Sequence, residues 1–207
     1  PIAEETGLIN RIGEWVLERA CADAVNWPKP IKVAVNLSPV QLNNPNLLDV
    51  VLCALVESGL PPERLELEIT ETALFKNDVD CLGVMRRLKN LGVSIALDDF
   101  GSGYSALWYL RDFPVDQVKL DREFIAPILT HGPSATIVRA VIEMTHALGH
   151  TPVAEGVESA EIADRLRQYG CRVAQGFYFS RPMPADEMLA LLEEQRRQRA
   201  DARASLT

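Results

Sequence analysis

The sequence has no long apolar run and no leader-like beginning. None of its hydrophobic stretches approaches the roughly 20 residues that a membrane-spanning helix requires. Residues 1–5 have neither the basic nor the apolar region of a signal peptide. An initiator methionine is also missing, so we expect the chain to be part of a longer polypeptide. The prediction is a cytoplasmic domain, with any membrane anchor in segments outside this sequence.

Cysteine pairs with metal-binding spacing and an excess of basic residues are missing too. The four cysteines lie far apart, at Cys21, Cys53, Cys81 and Cys171, which predicts reduced thiols in the cytoplasm. The formal net charge is −8. This charge argues against binding to DNA or RNA, because nonspecific nucleic-acid binding needs basic patches. It leaves open a small anionic ligand that is held through bound cations.

Short apolar runs alternate with amphipathic helical patterns along most of the chain. This alternation predicts an α/β protein with a parallel sheet, either doubly wound or closed into a barrel. Six of the runs end in a polar residue, and these residues are Asn36, Glu68, Asp98, Lys119, Glu155 and Gln175. Polar groups at six strand ends favour a (β/α)₈ barrel, because a doubly wound sheet gathers its ligand groups at one switch point.

Only about six of the eight strand–helix units of such a barrel are found in the sequence. We therefore expect the first two strands to lie upstream of Pro1. Residues 1–194 are predicted to form the barrel domain. Residues 195–207 are charged and alanine-rich, with little to bury, which predicts a disordered tail.

The stretch from Ser94 to Ser105 delivers two adjacent carboxylates, Asp98 and Asp99, into a glycine-punctuated loop. Adjacent aspartates raise each other's pKa unless a cation or hydrogen-bond donors compensate, so the pair indicates a divalent metal site. The alternative is a solvated turn, since Asp and Gly are ordinary loop residues. The recurrence of polar residues at other strand ends favours the metal site.

Several segments carry a family resemblance, and they are Asn36-Leu37-Ser38, Glu66-Leu67-Glu68-Ile69-Thr70-Glu71, Asp98-Asp99-Phe100-Gly101-Ser102-Gly103-Tyr104-Ser105, Lys119-Leu120-Asp121, Val153-Ala154-Glu155-Gly156-Val157-Glu158 and Gln175-Gly176. In this order, and covering nearly the whole chain up to the tail, they resemble the EAL domains, which hydrolyse cyclic di-GMP. The resemblance implies a TIM-like (β/α)₈ barrel of the EAL type. It also implies cyclic di-GMP as ligand, a homodimer, and an upstream sensor or diguanylate-cyclase-type domain.

The resemblance implies a site for two Mg²⁺ or Mn²⁺ ions. The implied metal ligands are Asn36, Glu68 and Asp98 for one ion, and Asp98, Asp99 and Glu155 for the other. Lys119, beside the attacking water, and Glu155 are the implied catalytic residues. The implied substrate-binding residues are Asp121 and Gln175, and the implied supporting and loop residues are Glu71, Glu158, Gly101 and Gly103. Glu71 in particular would steady the loop from Phe100 to Tyr104.

The residue types indicate the same chemistry without the family. Oxygen ligands suit Mg²⁺ or Mn²⁺ rather than zinc, and none of the three histidines, His131, His146 and His150, falls at a strand end. Two ions that share Asp98 would activate a bridging water and neutralise the charge on a phosphodiester. Lys119 could bind that water, or it could only balance nearby acids such as Asp121.

One departure from the family pattern leaves two function hypotheses. The tripeptide Glu-Ala-Leu occurs nowhere in the sequence, and the resemblance places it on a strand upstream of Pro1, where its glutamate is a metal ligand. The hypotheses are hydrolysis of cyclic di-GMP to linear pGpG, and a regulatory module that binds the dinucleotide without cleavage. The tripeptide Asp99-Phe100-Gly101 also occurs in protein kinases, but no glycine-rich phosphate loop or His-Arg-Asp motif accompanies it.

Overall fold

Six parallel strands form one sheet, and each strand lies beside its nearest neighbours in the sequence. The computed structural model describes residues 2–75, 81–101 and 107–204. The strands are β1 (Val33–Leu37), β2 (Leu65–Thr70), β3 (Ser94–Phe100), β4 (Gln117–Leu120), β5 (Thr151–Ala154) and β6 (Val173–Ala174). They pair in the order β1-β2-β3-β4-β5-β6. A doubly wound sheet reverses its order at a switch point, whereas a barrel adds strands in one direction. The observed order confirms the predicted barrel-type α/β architecture.

Helices connect the strands in sequence. They are α1 (Ile2–Glu5), α2 (Leu8–Ala24), α3 (Pro39–Leu42), α4 (Leu47–Ser58), α5 (Glu71–Phe75), α6 (Cys81–Asn90), α7 (Leu107–Asp112), α8 (Arg122–Ile125), α9 (Gly132–Ala147), α10 (Ala160–Gln168) and α11 (Ala185–Ala204), with a 3₁₀ turn at Pro62–Arg64. Gly59 ends α4 in the left-handed conformation, with φ of 70°, as its sequence position predicts. Within the described ranges, no helix combines the length and the apolar character needed to cross a bilayer.

The chain remains helical well beyond the predicted end of the domain. Helix α11 continues to Ala204, whereas the composition predicted a disordered tail from residue 195; residues 205–207 lie outside the described part. Charged side chains support this helix along its own length. Gln198 donates a hydrogen bond to Glu194 at 3.1 Å, and Arg197 lies 3.8 Å from Glu193. Such pairs four residues apart stabilise a helix without burial, and composition alone does not reveal them.

The two faces of the sheet differ in chemistry. In β2, Leu65, Leu67 and Ile69 are fully buried in the main apolar cluster with helix residues such as Leu17 and Met85. Side chains alternate along a strand, so the intervening residues of β2 occupy the opposite, inner face. The inner face of the sheet is therefore the polar one.

A polar layer lines the inner face at the start of the strands. The Lys32 ammonium donates to the Ser94 hydroxyl at 2.6 Å and lies 3.7 Å from the Glu66 carboxylate. The Gln117 amide donates to the same carboxylate at 2.7 Å. Burial raises the pKa of Glu66 above its ordinary value, and Lys32 only partly opposes this shift. These partners satisfy Glu66 on the inner face.

A buried arginine connects α2 to the sheet. Arg64 is only 4% exposed, and its guanidinium donates to the carbonyl oxygens of Ala24 at 2.6 Å, Ile31 at 2.8 Å and Trp27 at 3.2 Å. The carbonyls at a helix end have no partner within the helix. Arg64 therefore supplies donors to the end of α2 and to the segment that enters β1.

Replacing Arg64 by Met is expected to lower the free energy of unfolding by roughly 3 kcal/mol, because buried carbonyl groups lose a charged donor. Arg19→Met is the control, since Arg19 is exposed and makes a 2.9 Å ion pair with Asp23 on the same helix. We expect this control to change stability by less than about 0.5 kcal/mol. Urea unfolding measures the free energy of unfolding of both variants. Equal effects of the two substitutions would contradict the role given to Arg64.

Candidate active site

Lys119 lies at the centre of a group of carboxylates. Its ammonium is 2.8 Å from Glu68, 3.0 Å from Asp98 and 2.8 Å from Glu155, and the residue is only 4% exposed. These residues come from β2, β3, β4 and the position after β5. Residues that are far apart in the sequence thus meet at the carboxyl ends of neighbouring parallel strands, where barrel enzymes place their active sites.

Strand register explains why these side chains meet. Glu68 pairs with Ala96 across β2 and β3, so Asp98 lies two residues further along on the same inner face. Lys119 pairs with Val153 across β4 and β5, which puts the next inward position after Val153 at Glu155. The pairing register and the alternation of side chains therefore place Glu68, Asp98, Lys119 and Glu155 on one face of the sheet.

Asp98 and Asp99 face one site although they are adjacent in a strand. Adjacent strand residues normally point to opposite faces. Here the pairing register of β3 with β4 shifts between Leu97 and Phe100, and Asp99 has a left-handed φ of 54°. Carboxylate oxygens of Asp98, Asp99 and Glu155 all lie within 4.8 Å of one another. The irregularity at the end of β3 thus brings Asp99 into the group as a fourth carboxylate, beside Glu68, Asp98 and Glu155.

The protonation equilibria reflect this crowding of acids. Burial raises the pKa of Glu155, and the hydrogen bond from Lys119 offsets this only in part. Burial and the charges of Asp98 and Asp121 raise the pKa of Asp99. Burial alone would lower the pKa of Lys119, but hydrogen bonds to Glu155 and Glu68 outweigh it and raise that pKa. Lys119 thus opposes, but does not cancel, the effect of burial and of neighbouring acids on the pKa values of Asp99 and Glu155.

A cleft of about 320 Å³ opens beside the carboxylates. Its lining residues are Asp99, Asp121, Arg122, Glu155, Gly156, Glu158, Gln175, Gly176 and Phe177. Asp121 also caps α8, where its carboxylate accepts a hydrogen bond from the backbone of Glu123 at 2.6 Å. The two residues implied for substrate binding, Asp121 and Gln175, therefore border the same cleft as Asp99 and Glu155. Glu158 is exposed at the edge of this cleft rather than placed behind the other acids.

Glu71 accepts a hydrogen bond from the loop that follows β3. It is 1% exposed, and one carboxylate oxygen accepts a hydrogen bond from the backbone of Gly101 at 3.0 Å. Its other oxygen is buried without a hydrogen-bond partner among the described residues. Gly101 has φ of 98°, and a Cβ there would lie 2.8 Å from the Phe124 ring, so a side chain would be both strained and crowded. Gly103, the other loop glycine, lies outside the described residues.

Asn36 lies on the same inner face as Glu68, next to it in the register of β1 with β2. It is exposed, whereas Glu68 is buried. The structure thus places Asn36 at the side of the carboxylate group, adjacent to one of its members.

Comparison with known proteins assigns the family. The family model for the EAL domain matches residues 1–182. The chain belongs to the EAL domain family. An uncharacterized signaling protein of Caulobacter vibrioides is 51% identical over 91% of this chain and 23% of its own length. The bifunctional diguanylate cyclase/cyclic di-GMP phosphodiesterase MucR of Pseudomonas aeruginosa is 41% identical over 92% of this chain and 28% of its own length. The EAL domain thus spans about a quarter of the length of these curated relatives.

Solved structures of relatives have the same fold. The MucR phosphodiesterase in complex with cyclic di-GMP superimposes with a TM-score of 0.86 at 40% identity, covering 91% of this chain and 78% of that one. Klebsiella pneumoniae BlrP1, in a complex with manganese and cyclic di-GMP, superimposes with a TM-score of 0.78 at 35% identity, covering 84% of this chain and 45% of that one. A calcium complex of BlrP1 with the same dinucleotide also matches. These matches confirm that the EAL domain has a TIM-barrel-like fold.

The donor set of this EAL domain fits a hard divalent cation. Asp98, Asp99 and Glu155 offer carboxylate oxygens, which Mg²⁺, Mn²⁺ and Ca²⁺ prefer, and no histidine or cysteine belongs to the group. Burial, and then the negative charges of neighbouring acids, raise the pKa values of Asp99 and Glu155, and Lys119 opposes these shifts only in part. A divalent cation held by Asp98, Asp99 and Glu155 would favour the charged forms of these carboxylates.

Sequence reasoning did not assign roles to two side chains of the cleft, Arg122 and Phe177. Arg122 follows Asp121 immediately after β4, and Phe177 follows the Gln175-Gly176 pair after β6. Their positions just beyond strand ends are the signal that could have identified them. In the EAL domain both lie at the edge of the cleft, away from the interior of the sheet.

Proposed function

We propose that this EAL domain hydrolyses cyclic di-GMP to linear pGpG with the help of divalent cations, Mg²⁺ or Mn²⁺. The observation that carries the proposal is the placement of Asp98, Asp99 and Glu155 within 4.8 Å of one another, beside a buried lysine and an open cleft. The resemblance to a phosphodiesterase in complex with cyclic di-GMP supports the same substrate.

In this proposal the residues of the chain divide the work between metal binding and water positioning. Bound divalent ions activate water and neutralise the phosphodiester charge. Asn36, Glu68 and Asp98 would hold one ion, and Asp98, Asp99 and Glu155 would hold the other. Water adds to phosphorus, and the bond from phosphorus to the 3′ oxygen breaks. The water loses a proton, and the leaving 3′ oxygen takes one up to become a hydroxyl group.

Lys119 positions the water in this scheme. A protonated ammonium donates hydrogen bonds and cannot accept a proton, so Lys119 serves as a donor to the water or to the developing negative charge. Its contacts to Glu68, Asp98 and Glu155 keep the ammonium fixed among the proposed ligands. Asp121 and Gln175 then contact the substrate from the wall of the cleft.

The assay for this proposal is incubation of the protein with cyclic di-GMP and Mn²⁺ or Mg²⁺, with chromatographic detection of pGpG. We expect product with either ion and none after chelation with EDTA. Calorimetric binding of cyclic di-GMP without any product would reject hydrolysis. That outcome would instead favour a module that binds the dinucleotide without cleaving it.

We also propose that the domain works within a longer signalling polypeptide, as a homodimer and under the control of a sensor or cyclase domain. The curated relatives are about four times as long as the matched region, and MucR is named as bifunctional. Light scattering of the full-length protein measures the oligomeric state. A monomer at all concentrations would contradict the homodimer.

Replacing Glu71 by Ala is expected to weaken Mn²⁺ binding by about 10- to 100-fold, as the loss of an outer hydrogen-bond partner does at other metal sites. The reason is that Gly101, two residues after Asp99, would lose its 3.0 Å acceptor. Glu71→Gln, which keeps an acceptor and the volume, should bind Mn²⁺ nearly normally. The control is Glu57→Ala, an exposed glutamate on α4. Calorimetric titration with Mn²⁺ measures the affinity of each variant. An unaltered Mn²⁺ affinity in Glu71→Ala would contradict the role given to the hydrogen bond between Glu71 and Gly101.

A further inference from the structure

The chain at the end of β3 has two residues in the left-handed conformation, with a buried residue between them. Asp99 has φ of 54° and Gly101 has φ of 98°, while Phe100 between them is 6% exposed. Glycine adopts such angles readily, but for aspartate they are sterically less favourable. A residue keeps such a conformation where the surrounding structure imposes it. The contacts around this turn therefore determine whether the Asp99 carboxylate faces the other proposed metal ligands.

Three contacts with other elements hold this turn in place. Phe100 pairs with Leu120 at the end of β4. The Gly101 amide donates its hydrogen bond to the Glu71 carboxylate on α5 at 3.0 Å. The third contact is apolar, since a Cβ on Gly101 would lie 2.8 Å from Cε2 and 3.0 Å from Cζ of Phe124. The Phe124 ring therefore occupies the space beside the α-carbon of Gly101.

Phe124 is itself held in place by packing. It belongs to α8, whose start is capped by the Asp121 carboxylate, and its amide donates to the Asp121 carbonyl at 3.1 Å. Half-buried, it packs against the second apolar cluster, which includes Leu120 and Ile125. Packed interiors transmit displacements because they contain few voids. Phe124 thus connects this cluster to the turn at the end of β3.

We propose, on the basis of the metal site proposed above, that Phe124 is a positioning residue for Asp99. Its ring fixes Gly101 in the left-handed conformation, and this constraint keeps the neighbouring Asp99 turned toward the other acids. Asp98, Asp99 and Glu155 then hold carboxylate oxygens within 4.8 Å of one another. Phe124 acts through the backbone of Gly101 rather than on the metal ions or the substrate. The alternative is a purely structural role in the apolar cluster, which predicts lower stability without a specific effect on metal binding.

Replacing Phe124 by Leu separates the two roles. Leucine keeps apolar contacts with the cluster but lacks the ring atoms Cε2 and Cζ, which lie nearest to Gly101. We expect Phe124→Leu to weaken Mn²⁺ binding by about tenfold, as the loss of an outer partner does at other metal sites. The matched control is Phe113→Leu, which changes another half-buried phenylalanine, packed against the main cluster ahead of β4. This control should lose similar stability and bind Mn²⁺ normally.

A double substitution tests whether Phe124 acts through Gly101. In Gly101→Ala the new Cβ would meet the Phe124 ring at 2.8 Å, so Mn²⁺ binding should weaken. Phe124→Leu removes the ring atoms that this Cβ meets. In the Gly101→Ala background, Phe124→Leu should therefore weaken Mn²⁺ binding by less than it does alone, or should strengthen it. The effects of independent sites would instead multiply.

The experiment has three measurements. Calorimetry measures Mn²⁺ affinity, urea unfolding measures stability, and hydrogen exchange followed by NMR reports on the Gly101 amide in the metal-free protein. In Phe124→Leu this amide should lose part of its protection from exchange, because the turn opens more often, and in Phe113→Leu it should keep that protection.

The possible outcomes distinguish this role from the proposed function. Normal Mn²⁺ affinity in Phe124→Leu, an equal loss of affinity in Phe113→Leu, or multiplied effects in the double variant would overturn the positioning role and leave the proposed function standing. Weaker Mn²⁺ binding in Phe124→Leu, together with no hydrolysis by the unmodified protein, would reject the proposed function and keep the positioning role. No binding of Mn²⁺ to the unmodified protein would reject both.

Discussion

Replacing Asp98 by Asn is expected to lower kcat for cyclic di-GMP by about 10³-fold or more, because the variant loses the charge shared by the proposed metal ions. Asp98 belongs to the group of carboxylates that lie within 4.8 Å of one another, and it also contacts Lys119 at 3.0 Å. Asn keeps the side-chain volume and an oxygen that accepts from Lys119. The variant should therefore remain folded while it loses metal binding and turnover.

Glu66→Gln is the matched control for Asp98→Asn. Glu66 is also a buried acid on the inner face, but it bonds to Gln117 and lies near Lys32, in the layer at the start of the strands. We expect this control to retain Mn²⁺ affinity and to hydrolyse cyclic di-GMP at close to the normal rate. Calorimetry and product chromatography measure the two quantities. A normal rate in Asp98→Asn, or equal losses in both variants, would remove Asp98 from its proposed role.

The second large effect is expected from Lys119→Met. Three carboxylates within about 3 Å of the ammonium would then lose their counter-charge in a buried position, and such a loss costs about 3–5 kcal/mol of stability. Hydrolysis should also fall by about 10²-fold or more, since the water loses its donor. Mg²⁺ or Mn²⁺ should restore part of the stability, because a bound cation replaces part of the missing positive charge.

Lys89→Met separates this effect from the general cost of removing a lysine. Lys89 pairs with Asp116 at 2.7 Å, but both side chains are partly exposed. Removing that pair should cost about 1 kcal/mol or less and should not depend on Mg²⁺. Urea unfolding of both variants, with and without Mg²⁺, gives the comparison. A Lys119→Met protein as stable as the unmodified chain without metal would contradict the arrangement of charges described here.

The six strands and the location of Glu68, Asp98, Lys119 and Glu155 at strand ends could be predicted from local patterns. Apolar runs and period-two alternation identify strands, and parallel strands with helical connections bring their carboxyl ends to one edge. The structure confirms the six strands. The catalytic and metal-binding roles of these residues stay predictions, which the variants above test.

Other features could not be read from the local sequence. The turn of Asp99 toward Asp98 depends on a register shift and a positive φ, which come from the pairing of β3 with β4. The helical end of α11 depends on side-chain pairs that composition does not reveal. The approach of Arg122 to Gly156 depends on two loops that are far apart in the sequence.

The sequence by itself determined the parallel α/β architecture and the supply of acids at successive strand ends, because alternation and strand-end position are local properties of the chain. The order of its motifs indicated the family by resemblance. Only the tertiary structure decided that one buried ammonium is shared by Glu68, Asp98 and Glu155, and that Arg122 and Phe177 border the same cleft. The physical reason is that charge balance and cleft shape depend on distances across strands and loops, which sequence spacing does not specify.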